Sequence, residues 1–576
     1  MRAGAADVIF HGGEIVPVAD GFAPTDAAPE AVAVKDGLIV FVGTLERAIA
    51  DWQGEGTRLR DLKGRVLLPG FIDPHGHVVG TGLQATIANL LSDPDGDVTD
   101  TASIQRKLRE FADSDVGLRS KWIIGFGYDD SQLTEERHPT RQELDEVSTE
   151  RPVLAIHQSF HLGAVNTKGL ELLEYSALTC DPEGGAIRRE NDAPEHGDPN
   201  GVLEETAFFP ASDRAIAGLG KIDTAQLLDK GLRAAASFGF TTVQEGAASL
   251  AVLDALRALA NAEPDRLAAD VVVYVKAKEA IDEPDRLRPS NQYTKGLRAA
   301  GIKMILDGSP QGRTAWLREP YTTPPGDHGK EYCGYATLTD KVALAQVRAG
   351  FKHGWQIIAH VNGDAAVDQL IRSVRIVTQK AEPADRRITA IHCQTAGEDQ
   401  IEDFRELGII PSFFSMHTFY WGDWYRDVVL GPLRAADISP AQWALKRGMI
   451  YTSHHDAPVA LPNSIAILSS QVTRVTRDGY QLGRHQCVSG LDAVKSITIN
   501  AAYQYGEEAT KGSIEVGKLA DLVILSANPV TVPPGAIQDI TVEETIKEGR
   551  TIHPATGPKT APVLPHDEPI LFTHHC

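Results

Sequence analysis

At 576 residues the chain exceeds one ordinary small domain and can bury a large core; its formal net charge of −22 makes a polyanionic partner such as nucleic acid electrostatically unfavourable. The five cysteines (Cys180, Cys333, Cys393, Cys487, Cys576) are scattered and form no Cys-x-x-Cys pair, which argues against a disulfide framework or a thiolate zinc site. No stretch is long and apolar enough to span a bilayer, so the expectation is a cytoplasmic enzyme with a small-molecule substrate, no nucleic acid and no membrane as partner, and a homodimer left open.

Residues 6 to about 64 read as short strands and turns. Val8-Ile9-Phe10, Glu14-Ile15-Val16, Ala31–Val34 and Leu38–Val42 are separated by Gly- and Pro-bearing stretches, predicting a small antiparallel β unit. From 78 to about 213 the pattern turns irregular, with a helix at Ser103–Ala112, strands at Trp122–Tyr128 and Val153–His157, and a Gly-, Pro- and acid-rich loop at Asp181–Gly201. Such an insertion, about 84–215, is placed to cover a site. From Thr224 amphipathic helices alternate with short apolar strands at Thr241–Gln244, Asp270–Val275, Ile302–Leu306, Gln356–His360, Ile388–Cys393, Ile409–Phe414 and Met449–Ser453. With Gly70–His75 these make about eight parallel strands, an α/β chain of the closed (β/α)8 TIM-barrel type rather than an open doubly wound sheet. No Gly-x-Gly-x-x-Gly follows a strand, which speaks against dinucleotide binding. After a helix at Gly490–Gln504, the stretch Gly512–Leu525 reads as β-turn-β, and Ile540–Val542 with Glu544–Arg550 as another pair. These last strands are expected to join the N-terminal unit in a composite β-sandwich (1–66 and 508–560) around a barrel at 67–507, with 561–576 an extended tail.

The stretch with the most chemistry is Val66–Val78, ending in His75-Gly76-His77. Residues two apart on a strand share a face, so both imidazoles would converge, with Gly76 leaving room for a bound object; a pair of neutral imidazoles suits zinc. In a barrel every strand's carboxyl end opens on one mouth. The predicted strand ends bring there His75, His77, Lys303, His360, His392 and Asp456. Taken singly, each has a plain structural explanation: a buried histidine is usually hydrogen-bonded core, and an aspartate before Ala-Pro is usually a turn former. Together they form a donor set. Four histidines supply nitrogen and Asp456 an anionic oxygen, while Lys303 becomes an anionic ligand if CO2 carboxylates its nitrogen. A metal so held lowers the pKa of bound water from about 15.7 towards 7, and Asp456 can carry the proton to a leaving nitrogen.

The chain resembles the amidohydrolase superfamily, and within it the amidohydrolase-3 group that includes N-substituted formamide deformylases. The resemblance rests on Leu68-Pro69-Gly70-Phe71-Ile72-Asp73-Pro74-His75-Gly76-His77, Phe160–Asn166, Ile302–Gly308, Gly312–Ala315, His360–Asp364, His392, Asp456–Val459 and Gly512–Leu525. It implies that His75 and His77 bind one metal and His360 and His392 another. It further implies that carboxylated Lys303 bridges two zinc ions (one ion not excluded) and that Asp456 is the catalytic acid/base. The implied activity is hydrolysis of an amide or formamide C–N bond. The alternatives are deamination of an aromatic heterocycle, within the same superfamily, and a catalytically silent barrel that acts as a binding protein.

This sequence departs from the pattern at Ala390-Ile391-His392-Cys393, where many relatives carry Glu before the histidine, and at His454-His455, where they often carry Gly or Ser. Candidate substrate contacts are His161, Arg313 and Trp421. Trp421 belongs to the aromatic run Phe413–Trp424, expected either as an apolar wall over the site or as packing between barrel and insertion. His157 and Glu245 are weaker candidates near the same mouth.

Overall fold

The computed structural model describes residues 4–554 apart from 20, 24–27, 183–184, 191–196, 221–223, 263–266, 326–328, 380–381 and 383, so the expected tail at 561–576 lies outside the described residues. Eight parallel strands run in chain order through one sheet: β1 (Phe71–Ile72), β2 (Phe240–Ala248), β3 (Asp270–Lys276), β4 (Leu297–Ile305), β5 (Gln356–Val361), β6 (Thr389–His392), β7 (Ile410–Phe413) and β8 (Thr452–Ser453). The outermost strands, β1 and β8, are joined just beyond their carboxyl ends, where His77 N donates to Ala457 O (2.8 Å) and Asp456 N to His75 O (3.3 Å). The sheet therefore curls into a TIM-like barrel whose mouth is laced by the segments that carry the chemistry.

The helices between the strands start and stop for local reasons. Asp340–His353 is capped by Thr339 Oγ1, which accepts from Val342 N, and it ends at Gly354, whose φ of +67° is a left-handed conformation that glycine adopts without strain. Asp364–Thr378 buries Ala366, Val367, Leu370, Ile371 and Val374, spaced at three and four residues, against the sheet. At the opposite end, Ile72, Val272, Tyr274, Ala300, Ile358 and Ile391 from inside the barrel meet Ala501, Ala502 and Tyr505 of helix Ile499–Tyr505. That helix closes the floor: Arg298 at the start of β4 donates to Tyr505 O (3.0 Å), and Gln356 at the start of β5 to Gln504 O (2.7 Å).

Two further sheets come from the chain ends. Leu38–Gly43, Ala31–Lys35, Val8–His11 and Arg58–Asp61 form one; Glu14–Ile15, Val66–Pro69, Leu522–Leu525, Val542–Lys547 and Arg550–His553 form the other. Val8, Phe10, Val32, Leu67, Leu522, Ile524 and Ile546 share one apolar core between them. Between β1 and β2 the chain builds a six-stranded sheet from Ala88–Asn89, Ile123–Tyr128, Val153–His157, Leu162–Val165, Pro199–Glu205 and Gly185–Arg189.

Several local expectations are corrected. Residues 45–52 form a helix capped by Thr44, not part of a strand-and-turn run, because its apolar residues fall at helical spacing around buried Ala48. The stretch 181–201 is not simply a loop: Gly185–Arg189 pairs antiparallel with Pro199–Glu205. The single helix expected at 490–504 is two, Gly490–Ser496 and Ile499–Tyr505, because Thr498 leaves helical geometry (φ −130°, ψ −101°). Of 512–525 only Leu522–Leu525 is strand, pairing with Val66–Pro69.

Candidate active site

β1 stops at Ile72, so strand alternation is not what aims His75 and His77. Asp73 turns the chain by accepting His75 N (3.0 Å), Pro74 donates no bond, and His77 caps helix Val78–Gln84 while forming an isolated bridge with Glu245. The space at Gly76 is filled from within: a Cβ there would meet Asp73 Oδ2 at 2.6 Å and His455 Cε1 at 2.9 Å. Gly76 thus admits neighbouring side chains and not a bound object.

Both imidazoles nevertheless converge. Asp456 Oδ1 lies 3.3 Å from His75 Nε2 and 3.4 Å from His77 Nε2, and Asp456 Oδ2 lies 3.8 Å from His392 Nε2. The His360 and His392 rings are 4.6 Å apart between centres, and His75 and His392 5.6 Å. Lys303, on β4, brings Nζ to 2.8 Å from His75 Nε2. The six residues expected at one mouth are gathered there. Asp456 Oδ1 is buried and has no hydrogen-bonding partner. Ligand atoms each about 2.0–2.1 Å from a tetrahedral zinc stand about 3.3–3.4 Å from one another, so the spacing of these atoms suits a shared cation. His392 (φ +73°) and Asp456 (φ +54°) both hold left-handed backbone conformations, strain of the kind that collects at functional sites.

The partners of the other ring nitrogens decide which histidines can ligate. His75 Nδ1 faces Gln244 Oε1 at 2.5 Å; the Gln244 amide nitrogen donates to Pro74 O and Tyr505 OH, so its oxygen must accept from His75. Nε2 of His75 is then the bare nitrogen, turned to Asp456. His360 Nδ1 faces Asp307 Oδ1 (3.1 Å), and His392 Nδ1 faces His454 Nε2 (3.1 Å), with His454 Nδ1 on Ser412 Oγ (2.9 Å). His454 thus takes the place behind His392 where a carboxylate is more usual. His455 is excluded as a ligand: its Nδ1 accepts Ala457 N (2.8 Å), so its Nε2 carries the proton, towards Asp73 Oδ1 at 3.3 Å. The same reasoning disposes of a second cluster, Asp129, Asp130 and His157, in the insertion. His157 Nδ1 accepts Ser159 N (3.0 Å), leaving Nε2–H for Asp130 Oδ1 (3.1 Å), a hydrogen bond rather than a lone pair for a metal.

Burial, then the Lys303 charge, pushes His75 and His360 well below the ordinary histidine range; burial, then neighbouring His360, does the same for His392. Neutral imidazoles are the ligating form. Asp307 is pushed up to about 7 by burial, against the backbone N–H groups of Asn362, Gly363 and Trp316 that it accepts.

The remaining candidates separate. His161 lines the cavity beside His360, its Nδ1 on Glu205 Oε2 (2.9 Å); burial pulls it down, but Glu205, then Asp307 and Asp456, hold it above the usual histidine value. Trp421 is not in the cavity wall: it is fully buried in helix His417–Trp424 with its indole N–H on Asp129 of the insertion, and Tyr420 bonds Asp95. The aromatic run therefore packs barrel against insertion, as its length of apolar surface permits without any ligand. Arg313 is also outside the wall, stacked over Trp424 and donating to Thr323 O. Glu245 lies in the wall and accepts Val79 N (3.0 Å), with His77 Nδ1 at 3.9 Å.

The amidohydrolase family profile matches residues 58–553. The chain belongs to the amidohydrolase family. This family member is 25% identical over 573 residues to YtcJ of Bacillus subtilis (strain 168), provisionally named an amidohydrolase, covering 95% of this chain and 99% of the relative. It is 25% identical to the N-substituted formamide deformylase of Arthrobacter pascens, covering 92% and 96%. An uncharacterized metal-dependent hydrolase from Pyrococcus horikoshii OT3 shares its fold, with a TM-score of 0.70 at 21% identity over 92% of this chain and 99% of that one.

The amidohydrolase cavity, about 830 Å3 with its mouth included, reaches beyond the converging imidazoles and Asp456. One flank is apolar: Val79 and Leu83 from the helix after β1, Phe160 from the insertion, Val252, Pro458 and Val459. Two lining residues had no clear signal in the sequence. Lys276 sits one residue past the expected end of β3, and Ser249 follows β2 in a run of small residues.

Proposed function

We propose that this amidohydrolase is a metal-dependent enzyme that hydrolyses an exocyclic C–N bond, an amide or formamide with an apolar substituent. The observation that carries it is Asp456 Oδ1, buried and unpartnered between His75 Nε2 and His77 Nε2 at 3.3 and 3.4 Å. His75, His77, Lys303, His360, His392 and Asp456 would together hold one or two zinc ions. Bound there, zinc supplies positive charge that polarises a carbonyl oxygen and makes water acidic near neutral pH.

The chain's own residues do the rest. Gln244, Asp307 and His454 fix the rings of His75, His360 and His392 through hydrogen bonds at Nδ1. Lys303, 3% exposed among imidazoles, suits conversion to a carbamate: its neutral amine adds CO2, an N–C bond forms, a proton leaves, and the cation becomes an anion. Asp456, at the mouth, takes the proton of the attacking water on its carboxylate and returns it to the leaving nitrogen. His161, whose protonated form Glu205 favours, could donate to the carbonyl oxygen. The apolar flank holds the N-substituent and keeps bulk water from it.

The test is a substrate panel on zinc-loaded protein. Release of formate or another acid with an amine from N-substituted amides supports the reading, as does its loss in His75→Ala. Ammonia release from an aromatic heterocycle, with no amide turned over, would replace it by a deaminase.

A further inference from the structure

Consecutive residues of β2 face two of the histidines at the mouth. Gln244 Oε1 accepts the Nδ1 proton of His75. Glu245, the next residue, has no task in the hydrolytic mechanism, yet it is 6% exposed and lines the cavity. The backbone puts it beside His77. From Glu245 to Ala248 β2 takes three steps against two on β3, from Val273 to Val275. A bulge of this kind re-aims side chains at barrel rims. Here β2 meets the turn after β1: Glu245 and His77 are opposed in an antiparallel bridge, and Gly246 N donates to Gly76 O (3.0 Å). Residues so opposed point to one face, with Cβ atoms about 4.5–5.5 Å apart. The side chains accordingly approach each other. Glu245 Oε2 accepts Val79 N (3.0 Å), and Oε1 stands 3.9 Å from His77 Nδ1.

We propose, on the metal-dependent reading of this site, that Glu245 is a positioning residue for His77: its carboxylate accepts the Nδ1 proton and so keeps Nε2 bare for the cation. Nε2 of His77 lies 3.4 Å from Asp456 Oδ1, the oxygen that His75 Nε2 approaches at 3.3 Å. Both rings therefore present the same nitrogen to one point. A neutral imidazole that ligates through Nε2 carries its proton on Nδ1, and a carboxylate, which only accepts, favours that tautomer. Val79 N holds the other carboxylate oxygen, so Glu245 is tethered to the helix that His77 caps. The 3.9 Å separation is longer than a hydrogen bond; polar contacts that are long in a free enzyme often tighten when its site is loaded. The two histidines of His75-Gly76-His77 thus differ in what stands at Nδ1: a neutral amide for His75 and an anion for His77. The anion raises the basicity of the ring and strengthens its hold on zinc.

The experiment is Glu245→Gln in the full chain. The amide has the same shape; its oxygen can keep Val79 N, and its NH2 then faces His77 Nδ1 and favours the other tautomer, with the proton on Nε2. Zinc affinity is read by competition with a chelator. The tautomer is read from 15N spectra of metal-free protein labelled on histidine, with His77→Gln to assign the signal. Wild type should carry the His77 proton on Nδ1. Glu245→Gln should move it to Nε2 and weaken zinc binding by about 10- to 100-fold, while thermal unfolding of the metal-free protein stays where it was. The wild-type spectrum alone can overturn the inference, by showing the proton on Nε2. Wild type that binds zinc tightly, with Glu245→Gln binding it equally well, overturns it too and leaves the metal-dependent reading standing. If wild type binds no zinc, that reading fails and the tautomer still decides: a proton that moves in Glu245→Gln upholds the role of Glu245, and one that stays on Nδ1 refutes it.

Discussion

The two ends of the barrel both bury ionisable groups and treat them in opposite ways. At the floor each cation meets anions: Lys547 Nζ lies 2.7 Å from both Asp270 and Asp521, Lys511 2.5 Å from Asp270 and 2.9 Å from Glu507, and Arg298 2.7 Å from Glu507. At the mouth three imidazoles lie within 4 Å of one carboxylate, Lys303 meets one of them, and that carboxylate has an unsatisfied oxygen. Burial and charge are therefore not what marks the site. What sets the mouth apart is a buried carboxylate oxygen without a hydrogen-bonding partner, 3.3 Å from His75 Nε2 and 3.4 Å from His77 Nε2.

The contrast can be broken at either end. The largest effect is expected at the mouth: Asp456→Asn should lower kcat by about a hundredfold to ten-thousandfold, the worth of a general acid/base, while thermal unfolding shifts little. Lys547→Met should do the reverse. Removing the cation leaves Asp521 buried without its counter-charge while Asp270 keeps Lys511, so chemical denaturation should show a loss of about 3–5 kcal/mol, with kcat retained by the folded fraction. A smaller effect sharpens the mouth. Gln244→Ala removes the acceptor for His75 Nδ1–H and should weaken zinc binding about 10- to 100-fold in competition with a chelator, with the fold kept.

The smallest effect concerns a histidine just behind the mouth, in the helix after β7. His417, buried against Phe414 and Trp421, is depressed by burial to about 3. Between pH 6.5 and 3 the unfolded chain binds a proton there that the native chain refuses. Stability should therefore be fully present above 6.5 and fall as the pH drops towards 3, by about 1.4 kcal/mol per unit from this group. His417→Phe should flatten the measured dependence of unfolding free energy on pH by one proton; an unchanged slope would mean the ring is hydrated.

Much of the barrel was legible because each of β2 to β7 is a short apolar run bounded by an amphipathic helix, and strand ends such as His360 and His392 name their own side of the barrel. The resemblance pointed to the same residues. Less was legible where packing decides. His75 and His77 converge through a turn set by Asp73 and Pro74, not through the strand periodicity that first drew attention to them. Glu205, Gln244 and Lys276 carry no local signature: each matters only because a strand far away in sequence places it beside a histidine or the cavity. The aromatic run at 413–424 was ambiguous for a physical reason, since an apolar stretch pays no heed to whether protein or ligand covers it. Asp95 and Asp129, which hold Tyr420 and Trp421, settle it as packing.

The central claim is that His75, His77 and Asp456 share a cation. Diffraction data collected on either side of the zinc absorption edge, on protein purified and crystallised with zinc, test it most directly. The account predicts an anomalous peak within bonding distance of His75 Nε2, His77 Nε2 and Asp456 Oδ1, absent in His75→Ala crystals. An active enzyme with no peak there, or with its metal held by the Asp129–Asp130–His157 cluster instead, would contradict it.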